Sequence, residues 1–232
     1  MKTLLYVLTI SGLTVGTKLI EIAYNLGLRF LIRRTNVYKI SKANISTVFT
    51  NKSKNEINNL TSESCKETLI SFFETIYSWG HGPQKTSFHI NKVVDRYLYT
   101  REAVNNPRLC FSFHNRSIDF MLSWLIVQNQ STVMYKPFKL KKLDGFVKKH
   151  RSYNNSLPVE ASIRGVRQML LDIKSKKSLA IASDQVPKRK LGIESYFFGR
   201  KCYSTTIVSS LAKKMGNLPI MVYVTKPNKS IY

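Results

Sequence analysis

Residues 108–128 read RLCFSFHNRSIDFMLSWLIVQ, and this stretch decides the fold. An apolar run of strand length, Leu109 to Phe113, gives way to the polar hexapeptide His114-Asn-Arg-Ser-Ile-Asp119. A second apolar run, Phe120 to Val127, then follows. Strand, polar turn and helix in that order form the opening of a βαβ unit. In sheets built from such units, ligands bind beyond the carboxyl ends of the strands. The turn carrying His114 and Asp119 is therefore the first candidate site.

The same alternation continues downstream. Thr132 to Lys136 is a strand ended by Pro137, and Leu143 to His150 is a short helix with a basic face. Pro158 is expected to open the next helix, which runs to about Lys174 and carries Ile163, Val166, Met169, Leu170 and Ile173 at core spacing. Ser178 to Ala182 is a buried strand, Thr205 to Met215 a helix ended by Gly216, and Leu218 to Thr225 a final strand. Phe197-Phe198-Gly199 is an apolar turn expected in the core. Upstream, Lys54 to Trp79 is helical, with Thr61 and Ser62 as its break point. The fold class is α/β: a mostly parallel sheet flanked by helices, with an N-terminal membrane-associated helical segment.

The 232 residues carry 37 Lys and Arg against 13 Asp and Glu, a net charge of +24. Such a field favours an anionic partner, whether nucleic acid, anionic lipid or an acidic carrier protein. Hydrophobic residues at 43% place the charge on a folded body rather than a disordered chain. The three cysteines, Cys65, Cys110 and Cys202, lack metal-ligand spacing, so neither a disulfide framework nor a metal site is expected. Thr3 to Thr17 is uncharged and is followed, after Lys18 and Glu21, by the apolar run Ile22 to Leu28. A clean span needs about 20 apolar residues, so this segment is expected to be a short anchor or an interfacial helix. The basic flank of Arg29, Arg33, Arg34, Lys39 and Lys42 would keep the rest of the chain cytoplasmic.

Residues five apart sit about 140° apart on a helix, so His114 and Asp119 share no helical face. They meet if His114 stays in the loop, Ser117 caps the helix and Asp119, in the first turn, folds back onto the imidazole. A carboxylate on one ring nitrogen fixes the tautomer and leaves the other to take a proton from a hydroxyl. The plainer alternative has Asp119 cap the helix and His114 serve as an ordinary loop residue. Three strand ends converge on the same edge: His114 to Asp119, Lys136-Pro137, and Ser183-Asp184-Gln185. Arg151, Asp184, Gln185, Arg116 and Lys136 are the candidate substrate-binding residues, with Arg151 suited to an anionic substrate or a developing oxyanion. No P-loop, GxGxxG, G-x-S-x-G or HExxH motif occurs, and no cofactor is expected. Base-assisted transfer to a hydroxyl, without a covalent intermediate, is the economical chemistry.

In order along the chain, several blocks resemble the lipid A biosynthesis lauroyl/myristoyl acyltransferases of the lysophospholipid acyltransferase superfamily. Arg33-Arg34 through Asn44-Ile45 and Val48-Phe49 is similar to a basic segment of that family, and His114 to Asp119 matches its H-x4-D/E dyad. Tyr135-Lys136-Pro137, Leu143-Asp144, Arg151, Asp184-Gln185, Phe197-Phe198-Gly199, Leu211-Ala212 and Pro219 follow its remaining blocks. The resemblance implies an anchor over residues 1–35 and an acyltransferase domain over 36–232. It implies an enzyme at the cytoplasmic face of the inner membrane that moves an acyl chain from acyl carrier protein to a hydroxyl of a phosphorylated lipid A precursor. In those terms His114 is the base, Asp119 its orienting partner and Arg151 a substrate or oxyanion contact. The acidic carrier, the phosphorylated acceptor and the anionic membrane surface all suit the +24 charge.

Asp119 stands where the lipid A branch usually carries Glu, which keeps a glycerolipid acyltransferase as the alternative. The Glu-Gly-Thr-Arg block of that branch is absent. Relative to the family, the chain stops early after Thr225, so a carboxyl-terminal element of the acyl pocket is expected to be missing. A basic nucleic-acid-binding protein, or an inactive membrane scaffold, is the reading from another class. Dispersed Lys and Arg and the apolar Thr3 to Thr17 segment argue against nucleic acid as the partner.

Overall fold

The computed structural model describes residues 1–99, 107–187 and 192–225. Its strands are β1 (Leu109–Ser112), β2 (Ser131–Tyr135), β3 (Leu157–Glu160), β4 (Ser178–Ala182), β5 (Gly192–Phe197), β6 (Arg200–Thr205) and β7 (Ile220–Met221). Five of them form one sheet in the order β3-β2-β4-β1-β7, with every pairing parallel. β5 and β6 make a separate antiparallel hairpin.

The short apolar runs form strands because both their faces are covered. Side chains alternate across a strand, so Cys110 and Ala180 enter one core while Leu109, Leu179 and Ile181 enter the other. The first core is filled by Met121, Leu122, Leu125 and Ile126, and the second by Met169 and Leu211.

The helices are α1 (Lys2–Leu8), α2 (Leu13–Ala23), α3 (Arg29–Ile32), α4 (Asn36–Val48), α5 (Lys54–His81) and α6 (Pro83–Ser87). After β1 come α7 (Ile118–Gln128), α8 (Lys141–Arg151), α9 (Ile163–Lys174) and α10 (Ile207–Met215). The helix α7 covers one face of the sheet and α9 with α10 the other. Buried residues run consecutively from Asp119 to Ile126 in α7, as expected of a helix wrapped by core on all sides.

Three expectations are corrected. Thr61 and Ser62 do not break α5: the Thr61 hydroxyl bonds the Ile57 carbonyl at 2.6 Å and the helix runs on. A capping box, in which Ser53 and Glu56 each bond the other's backbone N–H, starts it. Pro158 does not open a helix but lies within β3, opposite Val133. β3 is an edge strand, where a missing N–H can face outward, and α9 begins at Ile163 under the Ser162 cap. Phe197-Phe198-Gly199 is not core: it is the exposed turn of the β5–β6 hairpin.

The N-terminal helices lie along α5. Tyr24, Tyr38 and Cys65 form a small core between them, and the Tyr24 hydroxyl donates to the Ser62 carbonyl at 2.7 Å. No single helix among the described residues is long and apolar enough to cross a membrane. Lys2–Leu8 and Leu13–Ile32 meet the length and composition together but bend by 63° at their break. α1 approaches α5 at Gly80, where an added Cβ would stand 2.9 Å from the backbone of Leu5 and Tyr6. Gly80→Ala should therefore lower stability by about 1–3 kcal/mol through overpacking and expose the α1–α2 break to limited proteolysis. Gly145→Ala, on α8 with open space around it, should raise the unfolding midpoint slightly in the same denaturant titration.

Candidate active site

The pairing of β1 with β4 is in register at Ser112 and Ala182. The two chains leave the sheet side by side, with the Ser183 N–H donating to the Ser112 carbonyl at 2.9 Å. His114 and Asp184, each two residues past its strand, consequently meet. His114 Nδ1 is 2.7 Å from Asp184 Oδ1, and the His114 backbone N–H donates to Asp184 Oδ2 at 2.8 Å. Burial raises the Asp184 carboxyl, but the two hydrogen bonds and the charge interaction with His114 outweigh it and hold the group below the usual carboxylate range. An ionised carboxylate accepts, so Nδ1 carries a proton, and in the neutral imidazole this leaves Nε2 as the ring's acceptor. Both side chains are more than one third exposed, within reach of a substrate.

Asp119 does something else. Ser117 holds the N-cap position of α7 but makes no cap bond; its hydroxyl pairs with Thr75 of α5 at 2.9 Å. Asp119, in the first turn, points into the protein, where Arg151 at the end of α8 grips it with Nε on Oδ1 at 2.9 Å and Nη2 on Oδ2 at 3.1 Å. The expected Asp119–His114 contact and the expected reach of Arg151 to a substrate or oxyanion are thus replaced by one buried fork between α7 and α8. Burial opposes ionisation of Asp119, and the Arg151 guanidinium overrides it, leaving the carboxyl lowered. The Trp79 indole adds a weak pull on the same carboxylate while closing no hydrogen bond of ordinary geometry.

Around this pair, the Ser123 hydroxyl donates to the Asp119 carbonyl at 2.6 Å, and Ser78 lies 3.0 Å from Ser123 and 3.3 Å from His150 Nε2. His150 is pushed down to about 4, chiefly by burial, with Asp119 opposing and the Arg151 charge assisting.

Arg116 also turns inward rather than toward a substrate. Its Nε lies 3.0 and 2.9 Å from the two Glu74 carboxylate oxygens, and Nη1 lies 3.1 Å from Glu67. It rivets the loop after β1 to α5. Glu67 and Glu74 escape a sequence reading, because they lie on the helical face of a distant segment and belong to no motif. Lys136, in the turn after β2, and Gln185, after Asp184, are exposed at the same sheet edge as His114. Among the described residues no group of three His, Cys, Asp or Glu side chains is placed to hold a metal ion.

The elements that build this edge fall within a match to the family described as bacterial lipid A biosynthesis acyltransferase, which covers residues 4–230. The chain belongs to that family. No curated protein matches the chain. As a lipid A acyltransferase it is an acyl-transferring enzyme whose acceptor is a lipid A precursor.

Removing one member of the buried fork leaves the other charge stranded. Asp119→Ala should cost about 3–5 kcal/mol in chemical denaturation, whereas the double variant Asp119→Leu/Arg151→Met should recover most of the loss. His150 gives a pH signature. Its folded value lies below the ordinary 6.5, so the unfolded chain takes up a proton first, and stability falls as pH drops from about 6.5 to about 4. His150→Gln should flatten that part of the stability profile.

Proposed function

We propose that the chain transfers a fatty acyl group from acyl carrier protein to the hydroxyl of a hydroxyacyl chain on a phosphorylated lipid A precursor, with His114 as general base. The observation that carries this reading is the His114–Asp184 pair at the carboxyl edge of β1 and β4. Asp184 holds Nδ1–H and the orientation of the ring. Nε2 takes the hydroxyl proton as the oxygen attacks the thioester carbonyl. When the C–S bond breaks, the imidazolium returns that proton to the departing thiolate, so no covalent enzyme intermediate forms. Asp119 and Arg151 act from behind, by locking α7 to α8 beneath the loop that carries His114. Exposed Lys136 and Gln185 are placed to meet the acceptor's phosphates, and a +24 chain favours both an acidic carrier and an anionic leaflet.

Exposed Leu4, Leu8, Val15, Leu19 and Leu26 on the N-terminal helices, next to Arg29, Arg33 and Arg34, support attachment to the cytoplasmic face of the inner membrane. Asp rather than Glu at 119 resembles the glycerolipid branch and keeps a glycerolipid acceptor as the second reading. Lipid-embedded enzyme given acyl-loaded carrier protein, with lipid A precursor and lysophosphatidate as competing acceptors, separates the two readings by product mass. Acylation of lysophosphatidate alone overturns the lipid A reading. His114→Ala should lower kcat by about 10²- to 10⁴-fold with an unchanged thermal transition. Asp184→Asn should lose less, because the imidazole stays while its tautomer is no longer fixed.

A further inference from the structure

Three residues separate β4 from Val186 and Pro187, Pro187 lies against Gly192 at the start of β5, and the β5–β6 hairpin is paired on its own, apart from the main sheet. It therefore arises at the edge that holds Asp184. Its last pair is Phe197 with Arg200, so Phe198 and Gly199 form a two-residue turn, with φ values of 48° and 72°. Turns of this kind need positive φ at both central positions and favour Asn or Gly. Gly199 meets the requirement freely. Phe198 meets it only against the steric cost of a bulky Cβ substituent in the left-handed region.

Among the described residues, the one ring contact of Phe198 is with its neighbour Phe197. Phe198 is 55% exposed, Phe197 67% and Tyr196 76%, and the two Phe rings meet each other edge-on with centroids 4.6 Å apart. An exposed bulky residue that breaks a local backbone rule is the kind of position expected at a functional site. The hairpin is also graded along its length. Ser195, Cys202 and Ser204 form a hydroxyl and thiol cluster in its body, whereas the tip is aromatic and is flanked by Arg200 and by Lys201, which pairs with Glu194 across the hairpin at 2.7 Å.

We propose that this tip inserts into an anionic lipid surface beside the active site, with Tyr196, Phe197 and Phe198 at the headgroup and acyl boundary and Arg200 on lipid phosphates. Aromatic rings with adjacent basic residues are the composition of a membrane-interface contact. A narrow convex tip offers a protein partner little area, but it enters a headgroup layer readily. The inference extends the lipid-acceptor reading above and gives the enzyme a membrane contact separate from its N-terminal helices.

The test uses the full chain carrying Cys202→Ser and a reporter cysteine, Phe197→Cys, labelled with an environment-sensitive fluorophore; Cys65 and Cys110 are buried. On vesicles of phosphatidylglycerol and phosphatidylethanolamine, the label should brighten and be quenched by lipids with spin-labelled tails. The same label at Ser210→Cys, exposed on α10, should respond to neither. The variant Tyr196→Ser/Phe197→Ser/Phe198→Asn should bind these vesicles about tenfold more weakly, with its thermal transition kept, while Phe197→Trp should bind as well as the parent. An unquenched label at 197, or parental binding by the triple variant, overturns the proposal. So does a label that responds to acyl carrier protein without lipid, which would make the tip a protein-docking arm. Vesicle binding is read without turnover, so loss of the acyl-transfer reading leaves this result standing, and the reverse.

Discussion

Parallel pairing of β1 with β4, in register from Leu109 with Leu179 to Ser112 with Ala182, is the constraint on which the rest depends. Both strands are buried on both faces, so their register is held by two cores at once. A slip of β1 by one residue would turn Leu109 away from α9 and α10 and bring Cys110 to that face in its place. The same register carries past the strand ends and sets His114 against Asp184. Chemistry at this edge is therefore an extension of sheet geometry, with the backbone N–H of His114 bonded to the same carboxylate as its ring.

A chain this basic has few acidic groups, and several of them are spent inside. Glu74 and Asp119 are both nearly buried, each forked by an arginine from a different segment. Buried ion pairs contribute little net stability but are costly to break from one side, so their effect is to specify one arrangement. Arg116 fixes the loop after β1 to α5, and Arg151 fixes α7 to α8. Between them they bracket the six residues from His114 to Asp119. His150, kept neutral by burial next to this pair, adds a pH sensitivity to the scaffold that is distinct from the ionisation of the exposed pair at the sheet edge.

Among the described residues, the bent N-terminal helices laid along α5 and the aromatic tip of the β5–β6 hairpin both expose apolar side chains. Both sit beside basic residues. The first packs on α5 through Gly80 and the Tyr24 contact to Ser62. The second projects from the edge that holds the His114–Asp184 pair, so that a lipid acceptor and the base would approach from the same side.

Much of this was legible in the sequence. Alternating apolar runs dictated an α/β fold with a parallel sheet, because a short apolar segment without polar alternation is stable as a strand only when both its faces are covered. Strand ends marked His114, Asp184, Gln185 and Lys136 for one edge, since side chains just beyond parallel strands share a crevice. Ordered blocks from Arg33 to Pro219 pointed to the acyltransferase family that the match over 4–230 bears out. What tertiary structure alone decided was partnership. Sequence spacing offered Asp119 to His114, but Asp119 lies on the inward side of α7, where Arg151 reaches it, while Asp184, 70 positions away, closes on the imidazole. Pairing of ionisable groups depends on which strands adjoin and which way each helix faces. Neither is set by distance along the chain.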